Sequence, residues 1–165
     1  MNSIAYAILA AVVAQRLVEL AWARRNTKRL KARGAVEVGA RHYPLIVLLH
    51  VTWLGAIAMF LPRPAVIYAV PLALFLLLQL CRIWILATLG PYFTTRIITL
   101  PGAALVRTGP YRFVRHPNYV VVAGEILSLP LAFGEPRVAL LFTLLNAATL
   151  FWRIRVEETA LAPRR

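Results

Sequence analysis

Cysteine is almost absent: Cys81 stands alone in the 165-residue chain, so no intramolecular disulfide can form, and its place in an apolar run reads as a small packed residue. Histidine is nearly as scarce. His42 and His50 are eight positions apart and His116 is distant from both, with no HExxH or paired-cysteine spacing, so no metal-ligand set is expected. No strand-like run leads into G-x-G-x-x-G, which excludes the soluble dinucleotide-binding architecture. Charge is sparse as well, at 15% of residues against roughly 25% in ordinary soluble domains. Hydrophobic residues make up 61%, with a mean hydropathy of +0.71. A water-soluble domain of this size cannot hide that much apolar surface.

What is present is a series of apolar runs long enough to cross a hydrocarbon layer, separated by charged or Pro/Gly-containing breaks. They predict an all-α fold, a polytopic membrane bundle of about five transmembrane helices over residues 4–23, 43–61, 65–89, 119–133 and 138–152, in a single domain spanning 1–165. A β-barrel needs short segments alternating apolar and polar, and residues 72–78 do not alternate. The first run has no basic region before it and carries its charges after it, from Arg24 to Arg33, so it is expected to be a retained helix rather than a cleaved signal. The Pro62-Arg63-Pro64 and Gly134-Glu135-Pro136 breaks are short enough to join only antiparallel neighbours.

The basic residues then orient the bundle. Seven Lys or Arg lie between Arg24 and Arg41, four between Arg96 and Arg115 and four after Trp152, all on one face, with Arg82 near the same end of the third helix. The opposite face holds only Arg63 and Arg137. The positive-inside rule puts the crowded face in the cytoplasm, the N-terminus outside and the C-terminus inside. Insertion and attraction to anionic headgroups account for the net charge of +13 without any nucleic acid. Arginine outnumbers lysine 17 to 2 and alanine is abundant, which suggests a GC-rich bacterial genome and hence a bacterial inner membrane.

The segment 90–118 is a polar, proline-punctuated connection in a protein whose other predicted inter-helix turns, apart from the basic 24–42 stretch, are very short. Connections this long in a compact domain are usually functional or disordered. Tyr92, Phe93, Tyr111, Phe113 and Tyr119 are interleaved with Arg96, Arg107, Arg112 and Arg115, a mixture that offers stacking faces and anion-binding forks. An interfacial aromatic belt with positive-inside arginines has the same composition. The order of residues separates the two readings. GPYRFVRHPNY over 109–119, then a short helix with Glu125 embedded in it, then R-I-R-V-E-E-T-A-L over 153–161, resembles the isoprenylcysteine carboxyl methyltransferase family and its relatives, which include phospholipid N-methyltransferases. The RHPxY element and the downstream R-x-x-x-E-E-x-x-L carry the resemblance, which covers about the last 75 residues.

That resemblance implies an S-adenosylmethionine-dependent methyltransferase in the membrane, whose cofactor enters from the cytoplasm and whose lipophilic acceptor enters from the bilayer. By similarity the cofactor pocket comprises Ala103, Ala104, Leu105 and Val106, then Tyr111 and Arg115, and the turn His116, Pro117, Asn118 and Tyr119, with Arg96 as a further polar contact. Arg153 and Glu157 or Glu158 are expected to face the acceptor and the reacting centre. The compact form and the Asn118 variant are similar to a branch of enzymes that O-methylate alkylpyrone or alkylresorcinol products, alongside the prenylcysteine acceptors of the eukaryotic members. A phospholipid N-methyltransferase and a noncatalytic scaffold sharing the hairpin are the competing readings. Oligomeric state is not legible.

Two groups have bland alternatives. Arg153 and Glu157 are four apart on one helix face and can simply pair with each other at the membrane exit. Glu125 lies among Val, Ala, Ile and Leu, where an unpaired carboxylate is costly, so it is read either as a functional group or as a hydrogen bond across the last hairpin. Asn146, at nearly the same distance from the turn at Glu135, is its expected partner.

Overall fold

The computed structural model describes residues 2–162, the side chain of His42 excepted. Five α-helices run α1 (Asn2–Ala32), α2 (Tyr43–Phe60), α3 (Ala69–Leu89), α4 (Pro117–Ala132) and α5 (Pro136–Leu161). All but α4 are long and apolar enough to cross a membrane. At 16 residues α4 rises only about 24 Å, short of a hydrocarbon core of roughly 30 Å. The expected membrane bundle is therefore present, with one helix shorter than a full span.

Several boundaries differ from the sequence reading. The first helix continues nine residues past Ala23, because Arg, Lys, Leu and Ala are good helix formers once the chain leaves the apolar layer, and it stops before Gly34 at φ 88°. The last helix likewise continues past Trp152 to Leu161, carrying Arg153, Glu157 and Glu158 on regular helix instead of at a frayed exit. The third begins at Ala69, four residues late. Before it, the Ala65 backbone N–H is taken by the Asn2 amide oxygen at 2.7 Å and that of Tyr68 by the Ala132 carbonyl at 2.9 Å, so the proline-rich segment is tied to neighbours instead of coiling.

A two-stranded antiparallel ribbon, β1 (Val36–Val38) with β2 (Ile97–Thr99), was not anticipated and pairs Glu37 with Ile98. It joins the segment after α1 to the long connection after α3. Asn26 of α1 makes a second tie, donating to the Gly90 and Phe93 carbonyls at 3.0 and 2.9 Å. Contacts at the opposite end, Asn2 to Ala65 and Tyr68 to Ala132, complete an antiparallel arrangement in which the Lys/Arg-rich segments share one end. Arg164 and Arg165, counted with that group, lie outside the described residues. The apolar core, centred on Trp53, Ile57, Leu129 and Phe133, fills the other half. Helix α4 packs most extensively against α3 and α5. Gly124 permits the first of these approaches, since a Cβ there would lie 2.7 Å from a methyl carbon of Leu78.

Candidate active site

Glu125 is only 2% exposed, and its partners are not the expected one. One carboxylate oxygen accepts from Gln79 and from Arg82 Nε, both at 2.8 Å. The other accepts from a second Arg82 nitrogen and from Arg16 at 2.7 Å. Glu19 completes the cluster, accepting from Arg16 at 2.8 Å, from Arg82 at 3.2 Å and from Gln15 at 2.9 Å. Two guanidinium groups thus face two carboxylates across α1, α3 and α4, and the charges balance. Arg82 belongs to this buried cluster and not to the interface. Asn146, 3% exposed, is turned inward as expected but does not bond Glu125. Glu125, read as either a functional group or a hydrogen bond across the last hairpin, makes its hydrogen bonds to α1 and α3 and not to α5.

At the polar end, the connection between α3 and α4 folds over the ends of α1 and α5 and encloses a cavity of about 710 Å³. Its first anchor is Gly109, at φ 55°, where a Cβ would lie 2.5 Å from the Thr88 hydroxyl, so the 109–112 turn seats directly on the end of α3. Of the expected cofactor residues, Arg96, Ala104, Leu105, Val106 and Tyr111 line this cavity. So do Arg115, His116, Asn118 and Tyr119. Ala103 and Pro117 do not: Ala103 closes a turn by bonding Leu100, and Pro117 is buried as the first residue of α4. The Arg96 guanidinium lies 4.2 Å from the centre of the Tyr43 ring and pairs with Glu37, which Lys31 also meets at 2.5 Å. Burial alone raises the Glu37 carboxyl, but the bonds from Lys31 and Arg96 outweigh it and hold the group below its ordinary range. Phe93 and Thr94 of the 90–118 connection also line the cavity, as does Leu30, which was missed because the ribbon and the Asn26 tie that bring it there are long-range contacts.

Arg153 and Glu157 both line the cavity, yet they do not form the direct pair their spacing suggests. The Tyr119 hydroxyl stands between them, accepting from Arg153 Nε at 2.7 Å and donating to Glu157. Arg153 also donates to the Thr95 carbonyl at 2.8 Å, which fixes its plane. His116 stacks on the Tyr119 ring with centroids 5.3 Å apart and meets Glu158 at 2.6 Å. Glu158 therefore orients a cavity residue without lining the cavity. Burial, with the Glu157 charge adding to it, pushes the Tyr111 hydroxyl above its ordinary range, so it remains a neutral donor. The amide oxygen of Asn118 is buried with no hydrogen-bond partner among the described residues.

A second cavity, of about 290 Å³, continues from this point between α1, α2 and α5. Its wall is largely apolar, with Val13, Ile46 and Leu150 among its residues, and its rim includes Leu17 and Val51, each 62% exposed, so it opens sideways from the bundle. Phe93, Thr94, Asn118, Tyr119 and Arg153 line both cavities. A polar chamber at the end of the bundle and an apolar one within it thus share one wall.

Such an arrangement defines an integral membrane protein with a site at the meeting of a polar and an apolar compartment. Residues 71–163 match the Isoprenylcysteine carboxyl methyltransferase (ICMT) family, and the chain belongs to that family, whose members are membrane methyltransferases. It is 37% identical over 158 residues to the uncharacterized protein YpbQ of Bacillus subtilis, covering 93% of this chain and 94% of that one. It is 26% identical over 167 residues to an uncharacterized protein of Haemophilus influenzae, covering 93% and 92%. No solved structure matches significantly.

Proposed function

We propose that the chain transfers a methyl group from S-adenosylmethionine to an oxygen of a lipophilic acceptor, either a carboxylate or a phenol or enol on a long chain such as an alkylresorcinol. The observation that carries this reading is the shared wall, where Asn118, Tyr119 and Arg153 face both a polar and an apolar cavity. The polar residues suit the cofactor: the unpartnered Asn118 amide oxygen can accept from an amine, the stacked His116 and Tyr119 offer aromatic faces, and Glu157 is the one carboxylate lining this cavity among the described residues. When bound, the cofactor supplies an electrophilic methyl group on a sulfonium centre. Arg153, held by Thr95 and Tyr119, aims an anionic acceptor oxygen along a fixed line. A carboxylate needs no more than that, whereas a phenol must also lose a proton, and Glu157 is the group to receive it. Because the Tyr119 hydroxyl already donates to Glu157, the carboxylate grips a cation only moderately, which favours a reaction that consumes the cation's charge.

The polar cavity faces the cytoplasm of a bacterial inner membrane in this reading, with the N-terminus outside. In a Cys81→Ser background, cysteines placed at the exposed Arg63 and Arg137 are expected to react with an impermeant thiol reagent on intact cells, and cysteines at Lys28 and Arg107 are not. The reverse pattern overturns the orientation. Calorimetric binding of S-adenosylhomocysteine to the detergent-solubilised chain tests the activity itself, followed by mass spectrometry of a long-chain resorcinol and a prenylcysteine incubated with cofactor. Absence of S-adenosylhomocysteine binding overturns the proposal, and methylation of a phospholipid amine alone replaces it with the N-methyltransferase reading.

A further inference from the structure

The apolar cavity is not apolar throughout. Arg16, Glu19 and Arg82 of the ionic cluster border it and bond within that cluster, whereas His50 and Asn146 face it from α2 and α5 outside the cluster, and neither is needed at the shared wall. The His50 Nδ1 lies 2.8 Å from the Ile46 carbonyl, so Nδ1 carries the proton and donates it there. Its Nε2 is then a lone-pair acceptor, and no described residue bonds it. The Asn146 amide likewise has no hydrogen bond within the described residues, and it is neither paired with Glu125 nor drawn into the ionic cluster beside it. Two inward-facing polar side chains at one level of a lipid-facing cavity are costly unless something bonds them.

Their level is set by helix geometry. On α2, His50 follows by seven residues Tyr43, whose hydroxyl lies 3.1 Å from that of Thr95 beside the shared wall, and on α5 Asn146 precedes Arg153 of that wall by seven, so both lie roughly 10 Å deeper. Between the two levels the wall is Ile46, Val47, Val122 and Leu150, with only Thr149 polar, and the Thr149 hydroxyl is occupied by the Leu145 carbonyl at 2.8 Å.

We infer that the acceptor carries a second hydrogen-bonding group, a hydroxyl or an amide N–H, roughly 10 Å from the atom that is methylated, and that His50 Nε2 and Asn146 bind it. This rests on reading the second cavity as the acceptor's. The acceptor is then a functionalised chain and not a plain alkyl or prenyl one, for which a hydrocarbon-lined cavity would suffice. His50 and Asn146 select the acceptor and take no part in the transfer.

The test uses the detergent-solubilised full chain and two probes, a long-chain resorcinol and the same molecule with one chain hydroxyl roughly 10 Å from a ring oxygen. Fluorescence titration is expected to show the hydroxylated probe binding about tenfold more tightly. His50→Leu and Asn146→Leu should each remove most of that preference, while His50→Gln, which keeps an acceptor, retains it. S-adenosylhomocysteine affinity, read by calorimetry, should be unchanged in all three, which also shows that each variant is folded. Equal affinity for the two probes in the unmodified chain overturns the inference, as does a preference that survives both leucine variants. Binding of S-adenosylhomocysteine with neither probe bound overturns it while leaving the cofactor site standing; failure of S-adenosylhomocysteine to bind the unmodified chain breaks the methyltransferase reading itself.

Discussion

The ionic cluster joining α1, α3 and α4 and the Arg153–Tyr119–Glu157 chain are built from the same residue types and put to different uses. In the cluster, both Glu125 oxygens are occupied, two arginines balance two glutamates, and Gln15 and Gln79 add further hydrogen bonds. Such a set fastens three helices in one register; Arg16, Glu19 and Arg82 border the second cavity, but their carboxylates and guanidinium groups are spent chiefly on one another. In the Arg153 chain, the same kinds of group are tied on one side only, to Thr95 and Tyr119, and their other side opens on a cavity. A charged residue in an apolar helix marks function only if its hydrogen-bonding capacity is left partly unused.

The largest effect expected from that contrast is on folding. Glu125→Ala leaves the buried Arg82 and the partly buried Arg16 to share Glu19 as their one remaining carboxylate and should cost about 3–5 kcal/mol, seen as a steep fall in the unfolding temperature in detergent, with Arg82→Ala similar and Glu125→Gln milder. Unfolding at the native temperature with cofactor binding lost would invert the comparison. Arg153→Ala should do the opposite, keeping the unfolding temperature and S-adenosylhomocysteine affinity close to native while lowering methyl transfer about a hundredfold. His116→Ala sharpens the boundary between the two regions: a loss of about tenfold in S-adenosylhomocysteine affinity by calorimetry, with insertion intact, assigns it to the cavity, and an unchanged affinity removes it.

The smallest expected effect concerns a third kind of charge, one with no hydrogen-bond partner among the described residues. Both oxygens of Glu135, in the turn between α4 and α5, are buried and unbonded, and burial pushes the carboxyl up to about 7 from 4.5. The folded protein therefore holds a proton that the unfolded chain releases, so stability is greatest below about 4.5 and declines as the pH rises toward about 7. Glu135→Gln should raise the unfolding temperature at pH about 8 and change it little at pH about 4. A gain at both pH values would attribute the effect to packing instead of titration.

The family resemblance, more than periodicity or spacing, reached far into the polar end because the motif that carries it is local. Residues 109–119 form one turn and the start of one helix, and Arg153, Glu157 and Glu158 lie within two turns of another, so their juxtaposition needed only one long-range contact. The Tyr119 bridge was out of reach for that reason: spacing along α5 says that Arg153 and Glu157 share a face, not that a hydroxyl from α4 fits between them. The partner of Glu125 was misread because its actual partners lie 109, 46 and 43 residues away in the chain. The available signal was one of balance, since Arg16 and Glu19, like Arg82 and Glu125, are stray charges in apolar runs, two of each sign.

The sequence by itself determined that the chain is a helical membrane protein, roughly where its helices lie, and which family its C-terminal half resembles, because hydropathy and short motifs are properties of contiguous residues. Only the tertiary structure decided which charges neutralise one another in a cluster and which are tied through Tyr119 at the meeting of two cavities, that a ribbon and Asn26 fold the long connection over the bundle, and that a polar and an apolar chamber meet at Asn118, Tyr119 and Arg153. Those are facts about which helix faces which, and in a lipid layer, where apolar surface drives no particular pairing of helices, that choice falls to close packing and to a few polar contacts between residues far apart in the chain.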